Sequence, residues 1–265
     1  MKPKRSHSLI FLINLINFLI LRKTPLNYSA SPLNYLVSYL STIHLRILYL
    51  FIQKLQKNFI IINNFLIRDD GDYFNTICMV HEPETFKFIM KQIKNCKVFV
   101  DVGANIGGYS IRAAKYCKVY AIEPLPRNYK ILKINEKLNN VKINSFNIAA
   151  GNKNGKVKLY YEPGAWGLPS LKHIQKEFIE VEMKPLDEII NEESIDLIKI
   201  DVEGAEDLVL EGARNLLKRT KMVIIEKNKE SFSNAYKILK EEGFKLIKIL
   251  DRIPGNIVFI KTTSN

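Results

Sequence analysis

The sequence predicts an α/β protein with a mostly parallel sheet, preceded by a separate helical segment. After Phe59, short runs rich in Ile and Val alternate with helical patterns of about a dozen residues, which is typical of alternating parallel strands and helices. With 265 residues, 47% of them hydrophobic, the chain is long enough to bury the core of such a sheet. Twelve glycines and ten prolines exclude a collagen-like or low-complexity chain.

The predicted elements alternate along most of the chain. Apolar runs predict strands over residues 97–102, 118–122, 142–148, 195–202 and 222–226. The patterns between and after them predict helices over residues 107–116, 127–138, 205–217 and 231–242. Two last runs, 245–250 and 256–260, flank Pro254-Gly255 and predict an antiparallel hairpin at the edge of the sheet. Ligands of such sheets bind at the carboxyl ends of the strands.

Residues 1–70 differ in kind from residues 71–265, and we treat the two as separate domains. The first segment carries nine Lys or Arg and two acids, which is +7 of the formal charge of +13. Its apolar run, 9–21, is shorter than the roughly 20 residues of a bilayer span. Residues 31–58 predict an amphipathic helix. Two interpretations stay open: these helices dock on an anionic membrane face, or they pack on the rest of the chain or on a second subunit.

Charge and cysteine content exclude several site classes. Of the 40 basic residues, 31 are lysines spread along the chain, which indicates a solvated surface more than a nucleic-acid stripe. The three cysteines form no C-x-x-C pair, which excludes a zinc knuckle or redox couple and fits a reducing compartment. Because no spacing of His, Cys and Asp resembles a metal site, we expect no metal-dependent chemistry.

A glycine-rich turn, VFVDVGANIGGYS at 98–110, joins the first predicted strand of the sheet to a helix. A dinucleotide fingerprint would have glycine at position 105, where the backbone approaches a pyrophosphate, but this chain has Asn105. S-adenosylmethionine contains no phosphate and tolerates that side chain. Glu123 ends the next strand, twenty positions after Gly103, where it can accept hydrogen bonds from ribose hydroxyls. Asp101 is either the acceptor for the cofactor's amino group or a helix-cap or solvent-facing residue.

A second constellation, at residues 195–213, places Asp201, Glu203 and Glu206 at the end of a strand. An alcohol that accepts a methyl group needs a nearby base for its proton, and Asp201 or Glu203 is our candidate. The other candidates are Glu226, Lys199 and His173.

The segment 163–173 departs from regular patterning and contains the only tryptophan, Trp166. Its ring either stacks on the face of a sugar or caps the core.

Several motifs together resemble the FkbM family of S-adenosylmethionine-dependent methyltransferases, over roughly residues 80–228. They are HEPETFKFI at 81–89, DVGANIGGYS at 101–110, AIEP at 121–124, NIAAGNKNG at 147–155, LIKIDVEGAE at 197–206 and VIIE at 223–226. The resemblance implies a class I methyltransferase Rossmann-like sheet. It also implies O-methylation of a hydroxyl on a glycan, a glycolipid or a polyketide-like natural product.

The resemblance assigns a role to each matching residue. Asp101, Gly103, Asn105 and Gly107 correspond to the methionine-binding turn, and Glu123 to the ribose ligand. Asn147 and Ala149 correspond to the stretch near the adenine, with a polar loop residue as the competing interpretation of Asn147. Asp201 and Glu203 correspond to the rim where methyl donor and acceptor meet.

Three rival functions stay open. They are a nucleic-acid methyltransferase, a catalytically silent adenosine-binding or scaffold module, and a nicotinamide-dependent oxidoreductase. The acidic Asp201-Val202-Glu203-Gly204 stands where a base-amino methyltransferase would have an N-P-P-Y-type turn, and Asn105 opposes the nicotinamide interpretation. Because S-adenosylmethionine is made in the cytosol, we expect a cytoplasmic protein, at the inner face of the cell membrane if residues 9–58 bind lipid. A homodimer is an open alternative.

Overall fold

The computed structural model describes residues 59–62, 65–68, 82–162, 165–172, 174, 176–227, 231–251 and 255–262. The predicted helices at 9–21 and 31–58 lie outside the described residues. The chain divides into two units, Met1–Gly71 and Asp72–Asn265. No helix in the described ranges is long and apolar enough to span a bilayer.

The first unit contains a short antiparallel hairpin that the sequence analysis did not predict. Its strands are β1 (Phe59–Ile62) and β2 (Phe65–Arg68), and Phe59 pairs with Arg68. Three successive isoleucines in β1 favour an extended backbone because β-branched side chains fit a pleated strand.

The second unit contains all other described elements. Its strands are β3 (Val98–Val102), β4 (Lys118–Ile122), β5 (Asn144–Phe146), β6 (Ala149–Ala150), β7 (Gly155–Glu162), β8 (Ala165–Ser170), β9 (Glu177–Lys184), β10 (Ile195–Ile200), β11 (Thr220–Glu226), β12 (Phe244–Leu250) and β13 (Asn256–Lys261). Its helices are α1 (Pro83–Ile93), α2 (Ser110–Ala113), α3 (Pro126–Leu138), α4 (Leu186–Ile189), α5 (Glu206–Glu211), α6 (Arg214–Lys218) and α7 (Phe232–Glu241).

Seven strands form the main sheet, in the order β12-β13-β11-β10-β3-β4-β5. The pairs from β11 to β5 are parallel, and β13 runs antiparallel to both β11 and β12. The predicted parallel sheet and its C-terminal hairpin are therefore confirmed, with β13 as the inner strand and β12 at the edge. Strand β3 is buried at every position, as expected for a central strand covered on both faces.

Two predicted helices are shorter than their sequence patterns suggested. The helix predicted over 107–116 begins only at Ser110, because Gly107 adopts a φ of +92° and keeps the preceding residues in turns. The helix predicted over 205–217 divides into α5 and α6 around Gly212. A Cβ at Gly212 would lie 1.8 Å from the carbonyl oxygen of Gly151, so the chain needs glycine at this contact.

A second sheet, in the order β6-β9-β7-β8, was not predicted. Strands β7 and β9 pair antiparallel, and β8 occupies much of the segment expected to be irregular. Residues of this sheet form a small core with Leu125, which directly precedes α3; the sheet contributes Ala149, Leu159, Val181 and Met183. In the sequence, the strands of this second sheet come after β5 and before β10, between two groups of strands of the parallel sheet.

Candidate active site

Asp101 lies in β3, one residue before its end, and is only 1% exposed. Its Oδ2 accepts a hydrogen bond of 2.5 Å from Ser110 Oγ, whereas its Oδ1 is buried without a hydrogen-bond partner among the described residues. Burial raises the pKa of Asp101, although Lys199 and Ser110 act in the opposite direction. A buried carboxylate oxygen without a donor is the group that a ligand ammonium would satisfy.

Gly103 brings the turn after β3 against the turn after β10. Its φ is +83°, and a Cβ at this position would lie 1.8 Å from the carbonyl oxygen of Asp201. Asn105 also adopts a left-handed φ, of 51°, which asparagine tolerates better than most side chains. The two turns that carry the candidate residues are therefore in direct backbone contact.

Glu123 follows β4 and connects it to the glycine-rich turn. Its Oε2 accepts the backbone N–H of Asn105 at 2.8 Å, and its Oε1 accepts that of Leu125 at 2.9 Å. The side chain is almost fully buried, and this burial raises the pKa of Glu123 to about 7 despite the two N–H donors. The Asn128 side chain also hydrogen-bonds to this carboxylate, and a remaining lone pair can accept a ligand hydroxyl.

Asn147 and Ala149 lie beyond β5 and differ in what their side chains offer. The Asn147 amide donates to the carbonyl oxygens of Glu123 and Pro124, both at 2.9 Å. It therefore holds the loop after β5 against the loop after β4. Ala149 lies in β6, opposite Met183, and is buried in the small core of the second sheet. The role of both residues near an adenine stays a prediction.

Three carboxylates meet at the ends of β10 and β11: Asp201, Glu203 and Glu226. One oxygen of each lies within 4.8 Å of the others. Burial, followed by the charge of Asp201, raises the pKa of Glu203 to about 8 and that of Glu226 to about 9. We call these three residues the acidic rim. The sequence candidates Asp201 and Glu203 are thus brought together, with Glu226 beside them.

Lys199 neutralises part of the acidic rim. Its side chain is 3% exposed, and its Nζ lies 2.7 Å from Asp201 Oδ2. Carboxylate oxygens at the spacing of the rim can also bind a divalent cation, and Asp201, Glu203 and Glu226 are the residues that would hold one. The expectation of no metal chemistry stays a prediction.

Glu206 does not belong to the rim, although it is close in sequence. Its side chain is fully buried, Oε1 accepts the N–H of Gly204 at 3.1 Å, and Oε2 accepts the hydroxyl of Ser231. It therefore stabilises the start of α5 instead of facing a ligand. The alternative base His173 and the Trp166 side chain lie outside the described residues.

Sequence reasoning missed Glu82, which lies directly before α1. Asn256 of β13, the register partner of Glu226, donates to Glu82 Oε2 at 2.8 Å. Burial raises the pKa of Glu82, with Lys199 lowering it and Asp201 raising it further. The available signal was an acid directly before a proline at the start of a helix.

The strand order and the carboxylates at the strand ends define a class I, Rossmann-like methyltransferase fold. Five parallel strands are extended by an antiparallel strand beside the last of them, and a glycine-rich turn follows the central strand β3. The chain belongs to the FkbM methyltransferase family, because the sequence model of the methyltransferase FkbM domain matches residues 101–246.

Individual relatives match only part of the chain. The methyltransferase sdnD of Sordaria araneosa is 30% identical over 152 residues, which is 43% of this chain and 59% of that protein. A crystal structure of methyltransferase FkbM from Methylobacillus flagellatus KT superposes with a TM-score of 0.45 and 19% identity, over 62% of this chain and 43% of that chain. The crystal structure of the Pyrococcus abyssi tRNA (uracil-54, C5)-methyltransferase in complex with S-adenosyl-L-homocysteine superposes with a TM-score of 0.45 and 13% identity. The match covers 77% of this chain and 44% of that chain. This chain thus spans less than two thirds of each of these relatives.

Proposed function

We propose that this protein transfers a methyl group from S-adenosylmethionine to a hydroxyl oxygen of a glycan, a glycolipid or a related natural product. The observation that carries the proposal is the division of carboxylates between adjacent strand ends. Asp101 and Glu123 lie on one side of the turn contact, and the acidic rim lies on the other. When bound, S-adenosylmethionine supplies an electrophilic methyl group on a sulfonium.

The residues around the glycine-rich turn fit this cofactor. Asp101 Oδ1 is a buried acceptor without a donor, which suits the ammonium of a methionine moiety. Glu123 is held in a fixed orientation by two backbone N–H groups and the Asn128 side chain, which suits an acceptor for a ribose hydroxyl. Asn105 occupies the position where a dinucleotide-binding turn has a glycine, whose missing side chain lets the backbone approach a pyrophosphate.

The acidic rim would accept the proton of the acceptor hydroxyl. Asp201 forms an ion pair with Lys199 at 2.7 Å, at the centre of the rim, and is the candidate base. Glu203 and Glu226 have pKa values of about 8 and about 9, and at neutral pH they can donate hydrogen bonds to other acceptor oxygens. Holding the hydroxyl in line with the methyl group supplies much of the rate in a displacement of this kind.

The hydrogen-bonding capacity of the rim supports a hydroxylated acceptor. Sugar hydroxyls can both donate to a carboxylate and accept from a carboxylic acid, and the raised pKa values of Glu203 and Glu226 provide the acid form near neutral pH.

Calorimetry and labelled transfer test the proposal. We expect S-adenosylmethionine to bind and NAD not to bind in separate titrations. With a labelled methyl donor, label should enter a hydroxylated acceptor from a glycan or natural-product panel and survive alkaline treatment, because a methyl ether is stable where a methyl ester is cleaved. Transfer to RNA alone, or binding without transfer to any acceptor, would contradict the proposal.

A further inference from the structure

Three register partners form a row across the second sheet that starts beside the acidic rim. Tyr160 of β7 pairs with Ser170 of β8 on one side and with Phe178 of β9 on the other. Register partners of antiparallel strands project from the same face of a sheet. Ser170, Tyr160 and Phe178 therefore share one face, and neighbours in the row are one strand spacing, about 4.8 Å, apart.

One end of this row is attached to the rim. The Ser170 hydroxyl donates to the carbonyl oxygen of Glu203 at 2.7 Å, and Ser170 is only 1% exposed. Glu203 therefore lies over the face of the second sheet that also carries Tyr160 and Phe178. Phe178, at the other end of the row, is two strand spacings, or about 10 Å, from Ser170.

Exposure increases along the row with distance from the rim. Tyr160 is half-buried and Phe178 is 49% exposed, and the centroids of the two rings are 5.9 Å apart. The Nζ of Lys158 lies 4.2 Å from the centroid of the Phe178 ring. About half of the Phe178 surface is thus accessible to a ligand, beside an ammonium that can donate hydrogen bonds.

The rest of this face has a different composition. The next two register pairs along β7 and β9 are Lys158 with Glu180 and Lys156 with Glu182, which are typical of a surface in water. The aromatic pair occurs at the level of Ser170, where the face meets the candidate site. Exposed rings are therefore placed beside the rim, and charged pairs occupy the remainder of the face.

We propose that Tyr160 and Phe178 form a subsite for a sugar ring of the acceptor, beyond the sugar whose hydroxyl is methylated. The subsite rests on the proposed function above and restricts its acceptor to an oligosaccharide or a glycoside with more than one sugar ring. The C–H face of a pyranose stacks on an aromatic ring, and its hydroxyls can accept hydrogen bonds from the Lys158 ammonium. Because one strand spacing is close to the length of one sugar unit, a chain with its reacting hydroxyl at the rim reaches these rings.

The preference for longer acceptors tests the subsite. The readout is the ratio of kcat/KM between a methylated acceptor with several sugar rings and its single-sugar fragment. In Phe178→Leu this ratio should fall by about 3- to 10-fold, because leucine retains apolar bulk but lacks a flat ring. Phe178→Trp should retain or increase the ratio. A wild-type ratio in Phe178→Leu would indicate that the ring serves packing alone, and would overturn the proposal.

Tyr116 provides the matched control, since it is an aromatic residue that is 59% exposed. It lies two residues before β4, at the end of the parallel strands opposite to the acidic rim. Tyr116→Leu should leave the ratio unchanged. An equal decrease in Tyr116→Leu and Phe178→Leu would attribute the effect to general destabilisation and would also overturn the proposal.

Binding without catalysis separates the subsite from the proposed function. Carbon-13 NMR of labelled aromatic rings is recorded during titration with cellotriose, maltotriose and chitotriose. The Phe178 signals, assigned by their loss in Phe178→Leu, should shift with at least one trisaccharide, and the Tyr116 signals should not. Phe178 signals that respond to no trisaccharide, or only to vesicles of phosphatidylserine and phosphatidylcholine, would overturn the subsite. A protein that binds a trisaccharide through Phe178 but methylates no hydroxyl would refute the proposed function alone.

Discussion

The two sides of the candidate site hold their carboxylates in different ways. On the proposed cofactor side, Asp101 is fixed by the Ser110 hydroxyl, and Glu123 by two backbone N–H groups and the Asn128 side chain. On the proposed acceptor side, Asp201, Glu203 and Glu226 face one another, and Lys199 provides the neighbouring positive charge. Fixed donors give a preorganised binding site, whereas mutually repelling acids give a site whose protonation responds to its occupant.

The largest effect that we expect is on the acceptor side. Asp201→Asn removes the candidate base but keeps the size of the side chain, so turnover should fall by about 10²- to 10⁴-fold. Cofactor affinity should change little, because Asp201 is not among the cofactor-side carboxylates. Asp196→Asn, at the opposite end of β10, is the control and should retain turnover. Undiminished turnover in Asp201→Asn would transfer the role to Glu203 or Glu226.

The second effect tests the contact between the two sides. In Gly103→Ala, the new Cβ would overlap the carbonyl oxygen of Asp201 at 1.8 Å, in addition to the strain of a φ of +83°. We expect a loss of about 2 kcal/mol or more in the free energy of unfolding, measured by urea denaturation.

Gly243→Ala separates strain from overlap. Gly243 has a similar φ of +78°, but its Cβ would meet only Thr262 Oγ1, at 3.9 Å. This variant should therefore lose only the cost of backbone strain, about 1 to 2 kcal/mol. Equal losses in Gly103→Ala and Gly243→Ala would mean that the turn after β3 can move away from the turn after β10 without a cost in stability.

The third effect is on the cofactor side. Glu123→Gln keeps a carbonyl oxygen but loses the charge, so affinity for S-adenosylmethionine should fall by about 5- to 150-fold, corresponding to about 1 to 3 kcal/mol for a charged hydrogen bond. Glu136→Gln is the matched control, since Glu136 is a buried carboxylate on α3 that also accepts a backbone N–H, from Ile143 at 3.0 Å. Unchanged affinity in Glu123→Gln would remove Glu123 from the site.

The smallest effect is the pH dependence of cofactor affinity. Burial raises the pKa of free Glu123 to about 7, and ribose hydroxyls would favour its ionised form. Binding should therefore release protons near pH 6.5, and affinity should increase as the pH rises towards 8. Calorimetry in buffers of different ionisation enthalpy measures this release. The release should decrease in Glu123→Gln, and a pH-independent affinity in the wild type would argue against a ribose contact.

The parallel sheet was predictable because its strands are mostly apolar runs, such as β3. Such a run predicts a buried strand without knowledge of the elements that surround it. The second sheet was missed although β9 alternates charged and apolar residues, the pattern of a half-exposed strand, because the prediction followed the alternation of strands and helices that this sheet interrupts. Asp201 and Glu203 were identifiable as acids at a strand end. Glu82 was not, because only the pairing of β13 with β11 brings its partner Asn256 beside Glu226.

The second sheet also shows where this scaffold can change. Ser170, at the end of β8, donates to the carbonyl oxygen of Glu203 at 2.7 Å, and Lys172 forms an ion pair with Asp207 of α5 at 2.6 Å. These two contacts place β8 beside the acidic rim. Its partner β7 pairs with β8 and β9, and among the described strands it pairs with none of the parallel sheet. Strand β7 differs, because its Leu159 packs in one small core with Leu125, whose N–H holds Glu123. We therefore predict that acceptor choice can be changed by exchange of β8 alone, whereas exchange of β7 would also disturb Glu123.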